Sequence, residues 1–411
     1  MTNTIQAYME NYAELAVKVG INVQPGQTLV ITAPLTAADF VRIAVRKAYE
    51  AGAKNVHVDW DDEEVKRIKY LLAPDEAFGE YPQWKADGFR GLAEQGAGFL
   101  QVYSPNPELL GDAKPERVAA ASKAYGTAMR EYRSMMQAGE FSWAIVSVPS
   151  PAWAAKVFPE LPEEQAIEAL WTHVAKAARA DQAQPVEAWS RHLADLRAKV
   201  DRMNAKQYKL LQYRAPGTEL TVELPPEHQW VAGGIRNAHG VYFVPNIPTE
   251  EMFTLPRKDG VNGTVRSTKP LNWNGQLIDG FSLTFENGKV TACSAEKGEE
   301  TLKRMLAMDD GASRLGEVAL VPHDSPISEM ELLFYNTGLD ENASCHFALG
   351  NAYPLCVRNG TAMSRGELEA VGFNFSLIHV DFMMGNAELD IDGVTPDGVT
   401  EPIFRRGRWA L

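Results

Sequence analysis

The chain has 411 residues, of which 45% are hydrophobic and 23% charged, and its formal net charge at pH 7 is −14. Because a single hydrophobic core rarely supports so long a chain, the length predicts two domains. The hydrophobic content is typical of a globular enzyme. The acidic excess argues against sequence-independent binding to nucleic acid, which depends on Lys and Arg neutralising phosphates.

The N-terminal segment and the cysteines indicate the compartment. The first 20 residues lack the basic start and apolar core of a secretory signal, and their apolar side chains recur at helical spacing. No apolar run approaches the ~20 residues that span a bilayer. The three cysteines, Cys293, Cys345 and Cys356, form neither a disulfide framework nor a Cys-x-x-Cys zinc motif. We therefore expect a cytoplasmic protein with no membrane contact.

The first half alternates short apolar strands with amphipathic helices, which predicts a mostly parallel sheet with helices on its faces. Strands are expected at residues 27–32, 55–60, 98–103 and 141–148, and helices at residues 37–51, 115–136, 162–180 and 185–206. Five acidic residues follow the second strand: Asp59, Asp61, Asp62, Glu63 and Glu64. Acids suit the positive end of a helix dipole, so this cluster is best explained as a helix N-terminus.

The second half has the pattern of an α+β domain with antiparallel pairing. Strands are expected at residues 219–224, 240–244, 260–266 and 281–294, and the last contains Asn287-Gly288. Asn-Gly favours the two positive φ angles of a type I′ hairpin turn. We therefore expect an N-terminal α/β domain at residues 1–190 and a C-terminal α+β domain at residues 191–411.

Residues 377–384 combine a metal-ligating pair with an apolar strand. Side chains of a strand alternate between its faces, so His379 and Asp381 point one way. The opposite face carries only apolar residues, namely Ile378, Val380, Phe382 and Met384. Burying an imidazole and a carboxylate on such a strand is costly unless they are paired or bound to metal. The segment therefore favours a metal hydrolase.

Two further segments contain acidic candidates that could equally have a structural role. Glu250 and Glu251 lie in a loop bracketed by prolines, which suits a ligand beside a general base. The alternative is a helix start capped by Thr249. Glu317 lies near the start of an apolar strand at residues 315–321, a pattern that is also common at surfaces.

A third segment, residues 340–353, is expected to be a loop that enters a helix. His346 and Tyr353 are seven residues apart and would share one face of that helix. Capping of the helix by Glu341 and packing of His346 and Tyr353 in a core are the alternatives. The isolated histidines His173 and His192 are expected to serve packing or the surface rather than catalysis.

Together these segments supply six carboxylate and imidazole candidates for metal ligation: Glu250, Glu317, Glu341, His346, His379 and Asp381. The mixture contains no cysteine and suits zinc, cobalt or manganese. A single catalytic zinc needs about three protein ligands, so six exceed one site. They match two ions held ~3.5–4 Å apart with one carboxylate between them.

A family resemblance rests on six segments that occur in order along essentially the whole chain. They are TEEMFT at residues 249–254, AEKGEE at 295–300, LGEVA at 315–319, DENASCH at 340–346, HVD at 379–381 and RRGRW at 405–409. This set resembles the M29 family of metallopeptidases. The resemblance implies a broad-specificity aminopeptidase that uses two divalent metals and acts on peptides with a free N-terminus. It also implies a homodimer with a mobile N-terminal domain acting as a lid.

The resemblance also implies roles for individual residues. The six candidates above correspond to the metal ligands, with Glu317 as the bridging carboxylate. Glu251 would be the general base that takes a proton from the attacking water, and Tyr353 would stabilise the oxyanion. Cys345 stands where relatives often have a small residue, and a thiol of that size should be tolerated.

Two other functions are weighed against this one. Related ring-cleaving dioxygenases act on dihydroxypyridines with a single iron(II), and the complete ligand set argues against that chemistry. A non-catalytic ligand-binding protein would use the same acids structurally and would show no peptidase activity for a chelator to abolish.

Overall fold

The structure is a computed structural model that describes residues 3–104, 106, 109–273 and 276–411. It divides into two compact units. The first unit runs to Arg191 and also contains Gly234–Pro248, and the second consists of His192–Gly233 and Thr249–Leu411. The single boundary expected near residue 190 did not anticipate that Gly234–Pro248 belongs to the first unit.

The helices lie mainly in the first half of the chain. In the described residues they are α1 (Asn3–Leu15), α2 (Ala38–Glu50), α3 (Glu63–Leu72), α4 (Gln83–Glu94), α5 (Pro115–Ala128), α6 (Arg130–Gln137), α7 (Pro151–Val157), α8 (Glu163–Ala177), α9 (Pro185–Lys206), α10 (Glu299–Leu306), α11 (Thr337–Asp340) and α12 (Arg365–Ala370). None of these described helices is both long enough and apolar enough to cross a bilayer.

The strands lie mainly in the second half. In the described residues they are β1 (Thr28–Pro34), β2 (Asn55–Asp61), β3 (Gly98–Tyr103), β4 (Trp143–Ser147), β5 (Leu210–Ala215), β6 (Thr218–Glu223), β7 (Val231–Ala232), β8 (Ile235–Arg236), β9 (Tyr242–Phe243), β10 (Asn246–Ile247), β11 (Met252–Thr254), β12 (Val261–Arg266), β13 (Leu271–Trp273), β14 (Gln276–Ile278), β15 (Ser282–Glu286), β16 (Lys289–Ser294), β17 (Leu315–Leu320), β18 (His346–Gly350), β19 (His379–Met383), β20 (Asp390–Val394), β21 (Thr400–Arg405) and β22 (Arg408–Trp409).

The first unit contains the parallel sheet that the sequence predicted. Its strand order is β10-β4-β3-β1-β2, and every neighbouring pair is parallel. Three of the five acids predicted to start a helix do so, because Asp62 caps α3 by accepting hydrogen bonds from the backbone N–H groups of Glu64 and Val65 and α3 begins at Glu63. Asp59 and Asp61 instead belong to β2. The long helix expected at residues 115–136 is instead two helices, α5 and α6. They meet at Met129, whose side chain is buried and whose backbone leaves helical values.

The second unit contains two larger antiparallel sheets, as expected for its α+β pattern. The first has the order β16-β15-β12-β6-β5-β20-β21-β22, and the second, called here the site sheet, has the order β19-β18-β17-β11-β7. Side chains from both sheets meet in one core, where Tyr213 packs against Phe347 and Phe281 against Phe382. The hairpin at Asn287-Gly288 has the predicted positive φ angles, 49° and 77°.

The helix expected after residue 340 was a wrong prediction. A short 3-10 turn covers Glu341–Ala343, and the chain then enters β18, which pairs with a strand on each side. Phe347 and Leu349 on β18 enter the core, while His346 does not belong to it. Hydrogen bonding of β18 to strands on both of its edges therefore favours a strand over the helix that the seven-residue spacing of His346 and Tyr353 had predicted. The helix considered after Thr249 is likewise absent, because β11 begins at Met252.

Candidate metal centre

One face of the site sheet carries the predicted metal ligands of its three neighbouring strands. Glu317 on β17 lies directly opposite Ala348 on β18, and Ala348 lies opposite Asp381 on β19. His379 lies opposite Gly350, two residues further along β18. Directly opposed residues point to the same side of a sheet. The small side chains on β18 therefore leave space between the carboxylates of Glu317 and Asp381.

The other face of these strands is apolar, which confirms the segregation predicted for residues 378–384. Phe382 and Met384 are buried in the core of the second unit, and Ile378 and Val380 pack against it. Residues with the opposite parity, His379 and Asp381, are both partly exposed. The side chains of β19 thus alternate between one face that packs in the core and another that carries His379 and Asp381.

Distances around Glu317 define two groups of ligands. Its Oε1 lies 3.6 Å from Nε2 of His346, and its Oε2 lies 3.6 Å from Nε2 of His379. Glu251 Oε2 lies 3.1 Å from His346 Nε2, and Asp381 Oδ1 lies 3.4 Å from His379 Nε2. We call Glu251, Glu317 and His346 the first ligand group, and Glu317, His379 and Asp381 the second. Within each group the ligand atoms lie within 4.8 Å of one another.

Backbone carbonyls orient both imidazoles. Nδ1 of His346 lies 3.2 Å from the carbonyl oxygen of Ser344, and Nδ1 of His379 lies 2.7 Å from that of Asn351. A proton on Nδ1 satisfies each of these hydrogen bonds and leaves Nε2 as the ligand atom. Both Nε2 atoms consequently face Glu317.

Two buried oxygen atoms support a cation at this place. Oε2 of Glu251 and Oδ1 of Asp381 are inaccessible to solvent and complete no hydrogen bond. In the metal-free chain only the imidazoles, at 3.1 Å and 3.4 Å, offset the cost of burying these two oxygens, and a bound cation would offset that cost as well. Nitrogen and carboxylate oxygen are also donors that zinc, cobalt and manganese accept. The residues present therefore fit a divalent metal in each ligand group.

The charges of the cluster shift its pKa values strongly. Burial alone would lower the pKa of His346, but the carboxylates of Glu251 and Glu317 outweigh it and hold that pKa well above its usual value. At His379, too, burial lowers the pKa, but the charges of Asp381 and Glu317 outweigh burial and raise that pKa to about 10. Burial, reinforced by the charges of Glu251 and Asp381, holds the pKa of Glu341 well above its usual range. Without metal, the imidazoles are thus protonated and compensate the carboxylates.

Tyr353 lies beside the second ligand group. Its ring centroid is 4.8 Å from that of His379 and 6.0 Å from that of Phe253. Burial and the nearby charge of Glu317 raise the pKa of the phenol. The hydroxyl therefore keeps its proton at neutral pH and can act only as a neutral hydrogen-bonding group.

The structure separates the neighbouring residues Glu250 and Glu251. Glu251 enters the first ligand group, whereas Glu250 Oε2 lies 3.7 Å from Nε2 of His192. Glu341 belongs to neither group, although its pKa responds to Glu251 and to Asp381. Of the eight predicted site residues, the structure therefore places five in the two groups, Tyr353 against one of them, and Glu250 and Glu341 outside both.

Cys345 precedes the candidate ligand His346, but the Cys345 side chain lies in the hydrophobic core. Its thiol accepts a hydrogen bond from the backbone N–H of Val321 at 3.4 Å and donates one to the carbonyl oxygen of the same residue at 3.3 Å. Burial raises the pKa of this thiol to about 12. Cys345 is thus a neutral core side chain.

Sequence reasoning missed two residues next to the site, His192 and Asn342. Nε2 of His192 lies 2.8 Å from the carbonyl oxygen of Thr249, and Asn342 Oδ1 accepts a hydrogen bond of 2.7 Å from the backbone N–H of Glu250. His192 lies 57 residues from its partner Thr249 along the chain. Such a contact leaves no local spacing signal. Asn342 directly follows the candidate Glu341 in the sequence, and this adjacency is a signal by which it could have been found.

Comparisons with known proteins identify the family of this chain. Residues 5–409 match the family described as thermophilic metalloprotease (M29). The chain is 55% identical over 409 residues to Aminopeptidase 2 of Geobacillus stearothermophilus, with 100% of this chain and 99% of that relative covered. It is 52% identical to Aminopeptidase AmpS of Bacillus subtilis, with 98% of each covered.

A solved structure extends the likeness to the fold. Wild-type AmpT from Thermus thermophilus superposes with a TM-score of 0.93 at 40% sequence identity, covering 99% of this chain and 100% of that chain. The chain therefore belongs to the M29 family of metalloproteases, as its ordered motifs predicted.

Proposed function

We propose that this protein is a metal-dependent aminopeptidase, a hydrolase that removes residues from the free N-terminus of peptides. Its family and its similarity to named aminopeptidases support this activity. The observation that carries the proposal is the position of the Glu317 carboxylate. Its two oxygens each lie 3.6 Å from a different imidazole nitrogen, so one side chain can serve two adjacent metal sites.

The proposed cofactor is a pair of divalent ions, either zinc, cobalt or manganese. The first ligand group would hold one ion and the second the other, with Glu317 shared and Glu341 as a sixth ligand close to both. When bound there, the ions would supply Lewis-acid chemistry that makes an attacking water more acidic and polarises the scissile carbonyl. The charges of Glu251 and Asp381, one from each group, both raise the pKa of Glu341, which supports a ligand role for this residue.

The geometry favours Glu251 over Glu250 as a metal ligand. Glu251 Oε2 already lies in the first ligand group, 3.1 Å from Nε2 of His346, whereas Glu250 faces His192. We therefore transfer the ligand role predicted for Glu250 to Glu251. The second oxygen of the Glu251 carboxylate keeps the predicted role of general base, which takes a proton from the attacking water and passes it to the leaving amine.

Tyr353 is proposed to stabilise the transition state. Its phenol keeps its proton because its pKa is raised, so it can donate a hydrogen bond to the oxygen on which negative charge develops. Its contact with the ring of His379 places it at the edge of the second ligand group. The carboxylates of the cluster would at the same time attract the positively charged α-amine of a peptide substrate.

Several wider expectations remain proposals. A homodimer, a first unit that moves as a lid, and a cytoplasmic location rest on the family resemblance and on composition. The net charge of −14 supports the absence of a nucleic-acid partner. Sedimentation velocity of the purified protein would test the dimer directly.

The central experiment is hydrolysis of Leu-p-nitroanilide and of short peptides by the purified chain. It is run as purified, after chelation, and after adding back zinc, cobalt or manganese separately. Activity that disappears on chelation and returns with metal, with release of only the N-terminal residue, is the expected result. Oxygen uptake with a dihydroxypyridine in place of peptide cleavage would instead favour the dioxygenase alternative.

The neighbouring glutamates form a matched pair for assigning ligands. Glu251→Gln should weaken binding of one of the two metals and lower kcat, while Glu250→Gln should leave metal stoichiometry close to that of the unaltered chain. Metal content by elemental analysis and kcat measured on the same samples distinguish the two. Loss of metal from Glu250→Gln alone would restore the assignment made from the sequence.

A further inference from the structure

We propose that His192 and Asn342 are positioning residues that hold the Thr249–Glu250 peptide group from both sides and so direct Glu251 into the first ligand group. Nε2 of His192 lies 2.8 Å from the Thr249 carbonyl oxygen. On the same peptide group, the Glu250 N–H donates to Oδ1 of Asn342 at 2.7 Å. The C=O and N–H of a trans peptide point in opposite directions, so the two side chains grip opposite edges.

The contacts lie where the backbone has no strand partner. Thr249 and Glu250 are each 5% exposed and Asn342 is 1% exposed. Buried peptide groups need hydrogen bonds, and β11 begins only at Met252. The two side chains therefore supply the hydrogen bonds that a sheet would otherwise provide, and this fixes the plane of the peptide.

Asn342 is itself held in place. Its Nδ2 donates to the carbonyl oxygen of Gly338 at 3.1 Å, its Oδ1 accepts from Glu250, and its backbone carbonyl oxygen accepts from the hydroxyl of Ser325 at 3.1 Å. A side chain amide bound on both its oxygen and its nitrogen cannot rotate without breaking a hydrogen bond. The acceptor presented to Glu250 is therefore a fixed point. Asn342 also directly follows Glu341, so one short turn supports two parts of the site.

Glu251 lies between two anchored positions. On its N-terminal side is the gripped peptide, and on its C-terminal side Met252 pairs with Leu320 on β17, the strand that carries Glu317. With the backbone fixed on both sides, the direction in which the Glu251 side chain leaves the backbone is fixed as well. From there Glu251 Oε2 reaches to 3.1 Å from Nε2 of His346. The proposal explains why Glu251 and not Glu250 joins the ligands, and for its metal readout it rests on the proposed function.

Matched variants separate this role from general stability. Asn342→Leu and His192→Phe remove the polar contact, while Asn342→Asp keeps an acceptor and His192→Gln keeps a donor. Each full-length chain is treated with chelator and titrated with Zn²⁺ by calorimetry, and the thermal midpoint of its metal-free form is recorded. We expect the first pair to weaken one of two metal-binding events by roughly 10–100-fold. His192→Gln should recover most of the affinity, and Asn342→Asp should recover less because it loses the donor to Gly338.

Two results would overturn the proposal. One is a lower thermal midpoint in Asn342→Leu and His192→Phe with both metal affinities unchanged, because that pattern describes a structural role alone. The other is a crystal structure of metal-free Asn342→Leu in which Glu251 still contacts His346. This second measurement does not depend on metal or activity, so it decides the positioning role even if the chain proves not to be a peptidase.

Discussion

Two clusters of acidic side chains among the described residues have different surroundings, and one of them fits a metal site. The cluster at the end of β2 and the start of α3 is partly exposed, and its members act separately: Asp59 pairs with Lys85 at 2.8 Å, and Asp62 caps α3. On the site sheet, by contrast, Glu317 is 5% exposed and contacts two imidazoles. Acidic content is similar in the two places. Burial and imidazole neighbours make the difference.

The largest expected effect comes from neutralising the shared carboxylate. Glu317→Gln removes the negative charge common to both ligand groups, so both metals should bind more weakly. Since metal catalysis supplies several kcal/mol, kcat/KM should fall by at least about 10³-fold. Elemental analysis and initial rates at saturating metal check this together. A variant that keeps two metals and normal turnover would show that Glu317 is no different from the exposed acids.

Filling the space between the carboxylates should have the next largest effect. Ala348 is fully buried and lies between Glu317 and Asp381, so Ala348→Leu would place three further carbons where the metals belong. We expect a loss of about 10²-fold or more in activity, and a stability cost of about 1–3 kcal/mol from overpacking. Ala292→Leu on the exposed strand β16 is the matched control and should change neither metal content nor activity.

A moderate effect is expected from pH on the metal-free protein. The pKa of His379 is raised from 6.5 to about 10, because Asp381 and Glu317 outweigh the effect of burial. The interaction of protonated His379 with these carboxylates stabilises the fold fully below about pH 6.5. This contribution is lost as the pH rises toward 10. The thermal midpoint of chelated protein should therefore fall by roughly 5–10 °C between pH 7 and 10. Metal-loaded protein should show a smaller fall, since its imidazoles are already deprotonated.

The smallest effect is expected in the exposed cluster. Asp59→Asn breaks an ion pair whose side chains are both 31% exposed, and such pairs contribute less than about 1 kcal/mol. Metal stoichiometry and kcat/KM should equal those of the unaltered chain. A loss of metal from this variant would contradict the distinction between the two clusters.

Local alternation explains which parts of the site were predictable. The alternation of apolar and polar residues at 378–384 predicted that His379 and Asp381 share one face of β19. The residue types Asn287 and Gly288 predicted the hairpin turn. Both depend on neighbours within a few residues. The strand β18 was missed because its pairing with β17 and β19 comes from segments about 30 residues away on either side, which helical spacing within 340–353 cannot reveal.

Contacts between distant segments account for the other errors. The family motif drew attention to Glu250 and Glu251 together, yet which of them faces His346 depends on His192 and Asn342. The assignment of Gly234–Pro248 to the first unit follows from pairing of β10 with β4, about 100 residues earlier. No local composition marks either contact. Residue identity was thus predictable at the site, whereas the direction of individual side chains was not.

The orientation of Cys345 keeps sulfur out of the proposed metal site. Its sulfur is occupied by the backbone of Val321, so the two ligand groups present nitrogen and oxygen only. Thiophilic ions such as cadmium gain no thiolate bond there. Affinity should instead follow the order common to nitrogen and oxygen donors, in which copper and zinc exceed manganese. The ion found in the cell would then depend on which ions are supplied, more than on a preference built into the protein.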